Sequence, residues 1–377
     1  MNISPDQSTR MGEPASTMVS LRKVSKSYGD LVALHETSLD VRQGEFLTLL
    51  GPSGSGKTTL LNLIAGMATP SGGEIILNGR DVTSLPAEKR GMGMVFQNYA
   101  LMPHMTVFEN IAFPLQIRKV PGDEIKRRVA EVLELVRLPQ VAHRKPQELS
   151  GGQQQRISIA RCIVYKPSLI LMDEPLGALD KKLREQMQLE IKHIHTQLGI
   201  TMLYVTHDQE EALNMSDRIM LMNAGRVEQL GTPAELYFEP VSEFVADFIG
   251  QSTLLGAEVI DAGEIGTVRL ESGETCRVRL PGQARVPGMK GKLLLRPESL
   301  RIIDHDSVAP DHNVLRGLVT DTLITGGTVK HFVTLTGGTT IAVQELTNQS
   351  MTRFPPTQPV SVVWHLDAAR FLIGQNS

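Results

Sequence analysis

Phe46-Leu-Thr-Leu-Leu50-Gly51-Pro-Ser-Gly-Ser-Gly56-Lys57-Thr58 is the stretch that decides the fold. Its first five residues are almost wholly apolar, which predicts a strand buried on both faces. A Gly-rich turn follows, then a helical run from Thr58 to Ala65 that stops at Gly66. The turn matches the phosphate-loop pattern G-x-x-x-x-G-K-[ST] in full, and in the strand–loop–helix context that the pattern requires. Glycines let the backbone wrap closely around phosphate oxygens, while loop N–H groups and the helix N-terminus supply positive potential. The candidate ATP-binding residues here are Gly51, Pro52, Ser53, Gly54, Ser55, Gly56, Lys57, Thr58 and Thr59. Lys57 is placed to reach the β- and γ-phosphates, and the Thr58 hydroxyl to ligate Mg²⁺.

A phosphate cradle also needs a second metal ligand and a group that positions water. Leu169-Ile-Leu-Met-Asp173-Glu174 offers both. Asp173 ends a buried strand at its carboxyl end, where open α/β sheets bind ligands, and is the expected Mg²⁺ holder. Glu174 is the candidate to orient or deprotonate the attacking water.

Outward from these two strands the elements fall into blocks. Val19 to Val24, His35 to Val41 and Gly73 to Leu77 read as strands of an antiparallel subdomain. Residues 98–161 read as a helical subdomain, with Ile125, Val129, Val132, Leu133 and Val136 on one helix face. Leu183, Met187, Ile191, Ile194 and Leu198 stripe a long amphipathic helix, and His193 and His195 are expected on its solvated side. Met202 to Val205 and Ile219 to Met222 are two more apolar strands. Buried strands alternating with helices imply an α/β fold with a mostly parallel sheet. Beyond about Gly250, short Val-, Leu-, Thr- and Arg-rich strands alternate with Gly turns, which predicts a small all-β, barrel-like unit.

Leu149-Ser-Gly-Gly-Gln153 resembles the signature sequence of ATP-binding-cassette (ABC) proteins. Ser150 can cap the helix behind it, and Gly151 and Gly152 allow a phosphate to approach. The resemblance implies that Ser150, Gly151, Gly152 and Gln153 meet the γ-phosphate held by a second copy's phosphate loop, so that two ATPs lie between two head-to-tail cassettes. By the same resemblance Gln97 contacts Mg²⁺ and links the site to the helical subdomain, and His207 is the switch histidine that touches the γ-phosphate, catalytic alongside Glu174 and Lys57. Tyr28 stacks on adenine, and Ala178, Leu179 and Asp180 form the loop that crosses the dimer interface. Gly177 stands where many relatives carry Ser.

Gly231-Thr-Pro-Ala-Glu-Leu-Tyr237, Phe244-Val-Ala-Asp-Phe-Ile-Gly250 and Leu295-Arg-Pro-Glu-Ser299 resemble importer ATPases serving sugars, glycerol phosphate, polyamines, opines or ferric ion. Glu210-Glu-Ala-Leu213 is most similar to the polyamine or opine kind. The chain reads as a disordered tail (1–17), a cassette (18–238), a linker (239–253) and a C-terminal unit (254–377) that the resemblance identifies as an oligonucleotide-binding-like TOBE domain for dimer contact or regulation. Implied partners are a second copy, integral-membrane permease subunits and, indirectly, an extracytoplasmic solute-binding protein. The implied place is the cytoplasmic face of the inner membrane, held peripherally.

Composition agrees with this reading. Lys and Arg total 38 against 41 Asp and Glu, a balance that argues against nucleic acid as the main partner. The alternative of a soluble cassette ATPase acting on nucleic acid or ribosomes would call for a long coiled coil or a second cassette, and neither is seen. No run approaches the roughly 18 apolar residues of a membrane helix. The two cysteines, Cys162 and Cys276, are expected as buried, reduced thiols rather than a disulfide or zinc site.

Overall fold

A computed structural model describes residues 16–177, 179–304, 312–347 and 354–374. The chain divides into two compact units, Met1–Pro233 and Ala234–Ser377.

In the first unit the elements run β1 (Thr17–Tyr28), β2 (Leu31–Arg42), β3 (Phe46–Leu50), α1 (Lys57–Ala65), β4 (Gly72–Leu77), β5 (Arg80–Asp81) and β6 (Gly93–Val95). Helices α2 (Val107–Ile117), α3 (Gly122–Leu135) and α4 (Gly151–Ile163) follow. The unit continues with β7 (Leu169–Asp173), α5 (Lys181–Leu198), β8 (Thr201–Thr206), α6 (Gln209–Met215), β9 (Arg218–Asn223) and β10 (Arg226–Gly231). Thr17, read as the end of a tail, already lies in β1; the rest of that tail up to residue 15 lies outside the described residues.

The main sheet has the order β10-β9-β3-β8-β7-β6, parallel except for β10. Strands β3, β7, β8 and β9 are buried on both faces, so alternate residues feed two cores. Phe46, Ile170, Met172, Met202 and Tyr204 pack against the helices α2 to α5. Leu47, Leu49, Leu169, Leu171, Leu203 and Val205 pack against α1 and the antiparallel sheet β2-β1-β4-β5. Helix α5 buries Met187, Ile191 and Ile194 as its stripe predicts. His195 is not solvated as expected. Its Nε2 lies 2.9 Å from the Gly44 carbonyl oxygen, and its ring meets Phe46 edge-on at 5.3 Å. Cys162 and Cys276 are buried free thiols, pushed up to about 11 and about 12 by burial.

The second unit is two five-stranded antiparallel sheets around one core that includes Val268, Leu293, Val333, Val362 and Trp364. After a short helix, α7 (Pro233–Phe238), residues 239–253, read as a linker, instead carry a helix, α8 (Glu243–Phe248), capped by the Ser242 hydroxyl at 3.3 Å from the Val245 N–H. Arg296, only 5% exposed, ties this segment to the β structure. Its Nη1 donates to Ala246 O at 2.9 Å, Gln251 O at 3.2 Å and Ser252 Oγ at 2.7 Å. Its Nη2 donates to Tyr237 O at 3.0 Å, and the guanidinium lies 4.4 Å from the Tyr237 ring centroid. The segment and the sheets are therefore one structure.

Candidate functional site

Parallel pairing puts the carboxyl ends of neighbouring strands on one edge of the sheet, where α/β folds collect ligands. Leu50 of β3 pairs with Thr206 of β8, and Val205 of β8 with Asp173 of β7. The register therefore brings the loop after Leu50, the acids after Met172 and the histidine after Thr206 together.

The loop is shaped for close approach. Gly51 has φ +152°, and a Cβ there would stand 2.2 Å from the Met222 carbonyl oxygen. Gly56 has φ +98°, and its Cβ would stand 2.8 Å from the Ala33 carbonyl oxygen. A side chain at either position would collide with backbone, so the loop can sit this tightly only with glycine. α1 starts directly behind it with no side-chain cap, leaving its first N–H groups for an anion.

Lys57 is 4% exposed, and its ammonium donates to Gly51 O at 2.9 Å and Pro52 O at 2.8 Å. Burial pulls its pKa below the ordinary lysine value, while the charges of Glu174 and Asp173 push the other way. The Thr58 hydroxyl donates to Asp173 Oδ1 at 3.3 Å. Burial raises the Asp173 pKa against the pull of that hydrogen bond, and the Glu174 charge adds to the rise. A hydroxyl and a carboxylate oxygen so close, on the open side of the loop, fit a hard divalent cation such as Mg²⁺. Glu174 has φ +43°, with its N–H donating to Val205 O at 3.1 Å. Its Oε2 lies 3.2 Å from His207 Nδ1. Gln97 follows β6, with Nε2 3.8 Å from where a Cβ on Gly177 would stand, so a side chain at 177 would reach that amide.

A cleft of about 460 Å³ opens at this edge, lined by residues 53–59, by Leu31, Val32 and Ala33, by Glu174 and by the Ala224–Gly225 turn. Leu31 to Ala33, Ala224 and Gly225 were not singled out from sequence. The only local trace was the Asn223-Ala-Gly225 turn after an apolar strand; that it folds back on the phosphate loop is a long-range fact. Gly225 N–H donates to Ser55 O at 3.1 Å. Tyr28 does not line this cleft; it is 54% exposed at the end of β1, with Lys26 Nζ 4.8 Å from its ring.

The signature residues also stand apart from the cleft. Ser150 caps α4, its Oγ accepting from Gln153 N at 3.4 Å while Gln153 Oε1 accepts from Ser150 N at 3.0 Å. A Cβ on Gly151 would be 3.4 Å from Leu179, so the signature packs beside the loop that holds Leu179 and Asp180. Asp180 caps α5, its Oδ1 accepting from Leu183 N at 3.0 Å. Ala178 lies outside the described residues.

The chain is also similar to known proteins. The ABC transporter family model matches residues 34–177, and the TOBE domain model matches residues 293–372. The chain is 48% identical over 353 residues to the spermidine/putrescine import ATP-binding protein of Haemophilus ducreyi, covering 93% of this chain and 95% of that one. The protein of the same name from Vibrio cholerae is 47% identical over 357 residues, with 94% and 93% covered. Among solved structures, cbiO1 from Clostridium perfringens, part of the ABC transporter complex cbiONQ, has TM-score 0.56 at 27% identity, covering 59% of this chain and 92% of that one. A dimeric post-hydrolysis structure of the ATP-binding cassette MJ0796 with ADP and Pi has TM-score 0.52 at 36% identity, covering 57% of this chain and 99% of that one. The chain therefore belongs to the ATPase subunits of ABC transporters, those in which a TOBE domain follows the cassette.

Proposed function

We propose that this subunit, as a head-to-tail dimer, couples ATP hydrolysis to import of a polyamine of the spermidine/putrescine class. The observation that carries the reading is a division of labour within one chain. Lys57, Thr58, Asp173, Glu174 and His207 gather at one sheet edge, while Ser150 to Gln153 cap a helix elsewhere. Each half lacks what the other offers, and a second copy supplies it in trans.

In this reading the loop N–H groups and Lys57 hold the β- and γ-phosphates, the ammonium exchanging its two carbonyl partners for phosphate oxygens. Thr58, Asp173 and Gln97 would hold Mg²⁺, which when bound would supply positive charge next to the transferred phosphoryl group. Glu174 accepts a proton from, or orients, the attacking water, and His207 keeps the Glu174 carboxylate aimed. Tyr28 stacks on adenine from the rim. Ser150, Gly151, Gly152 and Gln153 bind the γ-phosphate on the partner's loop, and residues 178–180 cross the interface. Closure pulls on residues 98–161 and on the permease docked there; hydrolysis removes the bridging charge and lets the dimer reopen. The subunit works at the cytoplasmic face of the inner membrane, held by the permease, with the solute delivered by an extracytoplasmic binding protein. Among the described residues no helix is long and apolar enough to cross a membrane. The solute class rests on the import proteins of that name to which the chain is similar across nearly its whole length.

Glu174→Gln should leave ATP binding intact, cut turnover by about 100-fold or more, and trap a closed dimer seen by size-exclusion chromatography with ATP. Ser150→Arg should abolish that dimer while sparing nucleotide binding by the monomer. Turnover at the wild-type rate in the first variant, or unchanged ATP-dependent dimerisation in the second, would refute the site. For the solute, ATPase of the reconstituted transporter should rise with spermidine or putrescine; stimulation by a sugar alone would refute the polyamine assignment.

A further inference from the structure

Behind His207 a cluster of polar side chains joins two loops. Arg184, in the first turn of α5, donates through Nη2 to the Leu179 carbonyl oxygen at 3.1 Å. Through Nη1 it donates to Asp208 Oδ2 at 3.2 Å. Asp208 Oδ1 is already engaged, accepting from Glu210 N at 2.8 Å and Glu211 N at 3.2 Å to cap α6. On the other side of the histidine, the Thr206 hydroxyl donates to Glu211 Oε2 at 2.7 Å and accepts from Asp208 N at 3.0 Å. The same carboxylate oxygen accepts from Tyr204 Oη at 2.8 Å. Both neighbours of His207 are thus fastened, one to Glu211 and one to Arg184, while the imidazole itself stays open to Glu174.

The third donor of Arg184 is unsatisfied. Its Nε is buried with no acceptor, and the nearest carboxylate oxygen, Glu211 Oε1, is 3.7 Å away. That separation is too long for a hydrogen bond, and a shift of under roughly 1 Å would make one. A small movement of the guanidinium would therefore add a donation from Nε to the two already present.

We propose that Arg184 is a positioning residue that ties the interface loop ending in Asp180 to the loop carrying His207. A partner cassette pressing on residues 179–180 moves the Leu179 carbonyl. The rigid guanidinium fork passes that movement to Asp208, and so to the His207 ring and the Glu174 carboxylate it faces. Hydrolysis is then licensed by the partner's arrival as well as by nucleotide. A plain ion pair holding α5 to α6 would need only the Asp208 contact; the Leu179 contact joins a second loop to it. The inference rests on the site reading given above for Glu174 and His207.

The test is steady-state ATPase and nucleotide binding by the purified full-length subunit. Arg184→Met keeps the stem and removes the fork; it should lower kcat by about tenfold or more while KM and nucleotide affinity stay within about threefold. Arg184→Lys keeps the charge but cannot span both acceptors, and should lose at least about threefold. If Arg184 acts through His207, adding Arg184→Met to His207→Ala should cost no more than about twofold further in single-turnover hydrolysis. A folded variant at wild-type kcat, or losses that multiply in the double variant, would overturn the proposal. Should Arg184→Met fail to melt cooperatively, Arg184→Lys carries the same comparisons. Glu174→Gln run in parallel separates the two levels. If it is inactive while Arg184→Met and Arg184→Lys are at wild-type rate, only the clamp is refuted; if it hydrolyses normally, the underlying site is refuted.

Discussion

Replacing Arg296 by Met should release residues 237–252 from the second unit without unfolding its sheets. Met keeps an apolar stem of similar length, so the loss is chiefly that of the hydrogen bonds to Ala246 O, Gln251 O and Ser252 Oγ, which share the two Nη1 hydrogens, and to Tyr237 O. Nη1 has two hydrogens for three acceptors, so two to three independent bonds are lost, and at a net ~1.5 kcal/mol each, the low end for a charged donor, the cost is about 3–4.5 kcal/mol. The stacking against the Tyr237 ring adds up to about 1 kcal/mol. A cost of about 3 kcal/mol raises the population of a local opening about 100-fold. Amide hydrogen exchange reads this directly. Ala246 N and Ile249 N, bonded within the segment to Ser242 O and Val245 O, should lose about 100-fold in protection. Leu293 and Val362, in the buried core of the sheets, should change by less than about threefold. Equal loss in the sheets would mean that Arg296 holds the whole unit together. No loss at either place would mean that the apolar contacts of Ala246 and Leu294 suffice to seat the helix.

Gly56→Ala should lower ATP affinity by about tenfold or more, because its Cβ would meet the Ala33 carbonyl at 2.8 Å in a loop held at φ +98°; an unchanged Kd by nucleotide titration would show that the loop yields. Asp173→Asn should abolish the Mg²⁺-dependent part of the melting-temperature rise that ATP produces, leaving any metal-free part, and an intact Mg²⁺ effect would remove Asp173 as a ligand. Burial holds the Glu211 carboxyl above its ordinary value of 4.5, against the hydrogen bonds from Thr206 and Tyr204. The folded state therefore keeps a proton that the unfolded chain releases, and stability is lost as pH rises from 4.5 through the raised value. Relative to Glu211→Gln, wild-type melting temperature should fall across that window; parallel curves would refute the assignment.

The nucleotide site was legible because its determinants are local. A buried strand announces itself by an unbroken apolar run, and Gly51 to Thr58 encode a backbone path that few other residues permit. Leu169 to Glu174 adds strand and acids in six adjacent positions. What the chain does not encode locally is which strands become neighbours. Nothing near His207 says that β8 inserts between β3 and β7, yet that insertion brings Thr206 beside Leu50 and Val205 beside Asp173. There the resemblance to a family supplied the missing step.

Elsewhere the limit was the same and no resemblance compensated. Residues 239–253 are too short and mixed to show a helical period, so α8 was invisible until Arg296, nearly fifty positions later, closed on it. Leu31 to Ala33 and Gly225 wall the cleft through contacts among three separate loops and strands. Arg184 is a further case. In the sequence it is one cation among the polar residues of an amphipathic helix, where a solvated position is the ordinary expectation. Its two acceptors, Leu179 O and Asp208 Oδ2, come from loops that meet only because α5 and α6 pack on the same edge of the sheet. Groups that perform chemistry must present a particular residue type at a strand end, and a motif records that. Groups that hold others in place need only reach, and many residues in many positions can do so. Positioning residues are therefore the part of an active site that a single sequence conceals most completely, and the folded chain, with Arg184 Nε buried 3.7 Å from Glu211 Oε1, is where they first become visible.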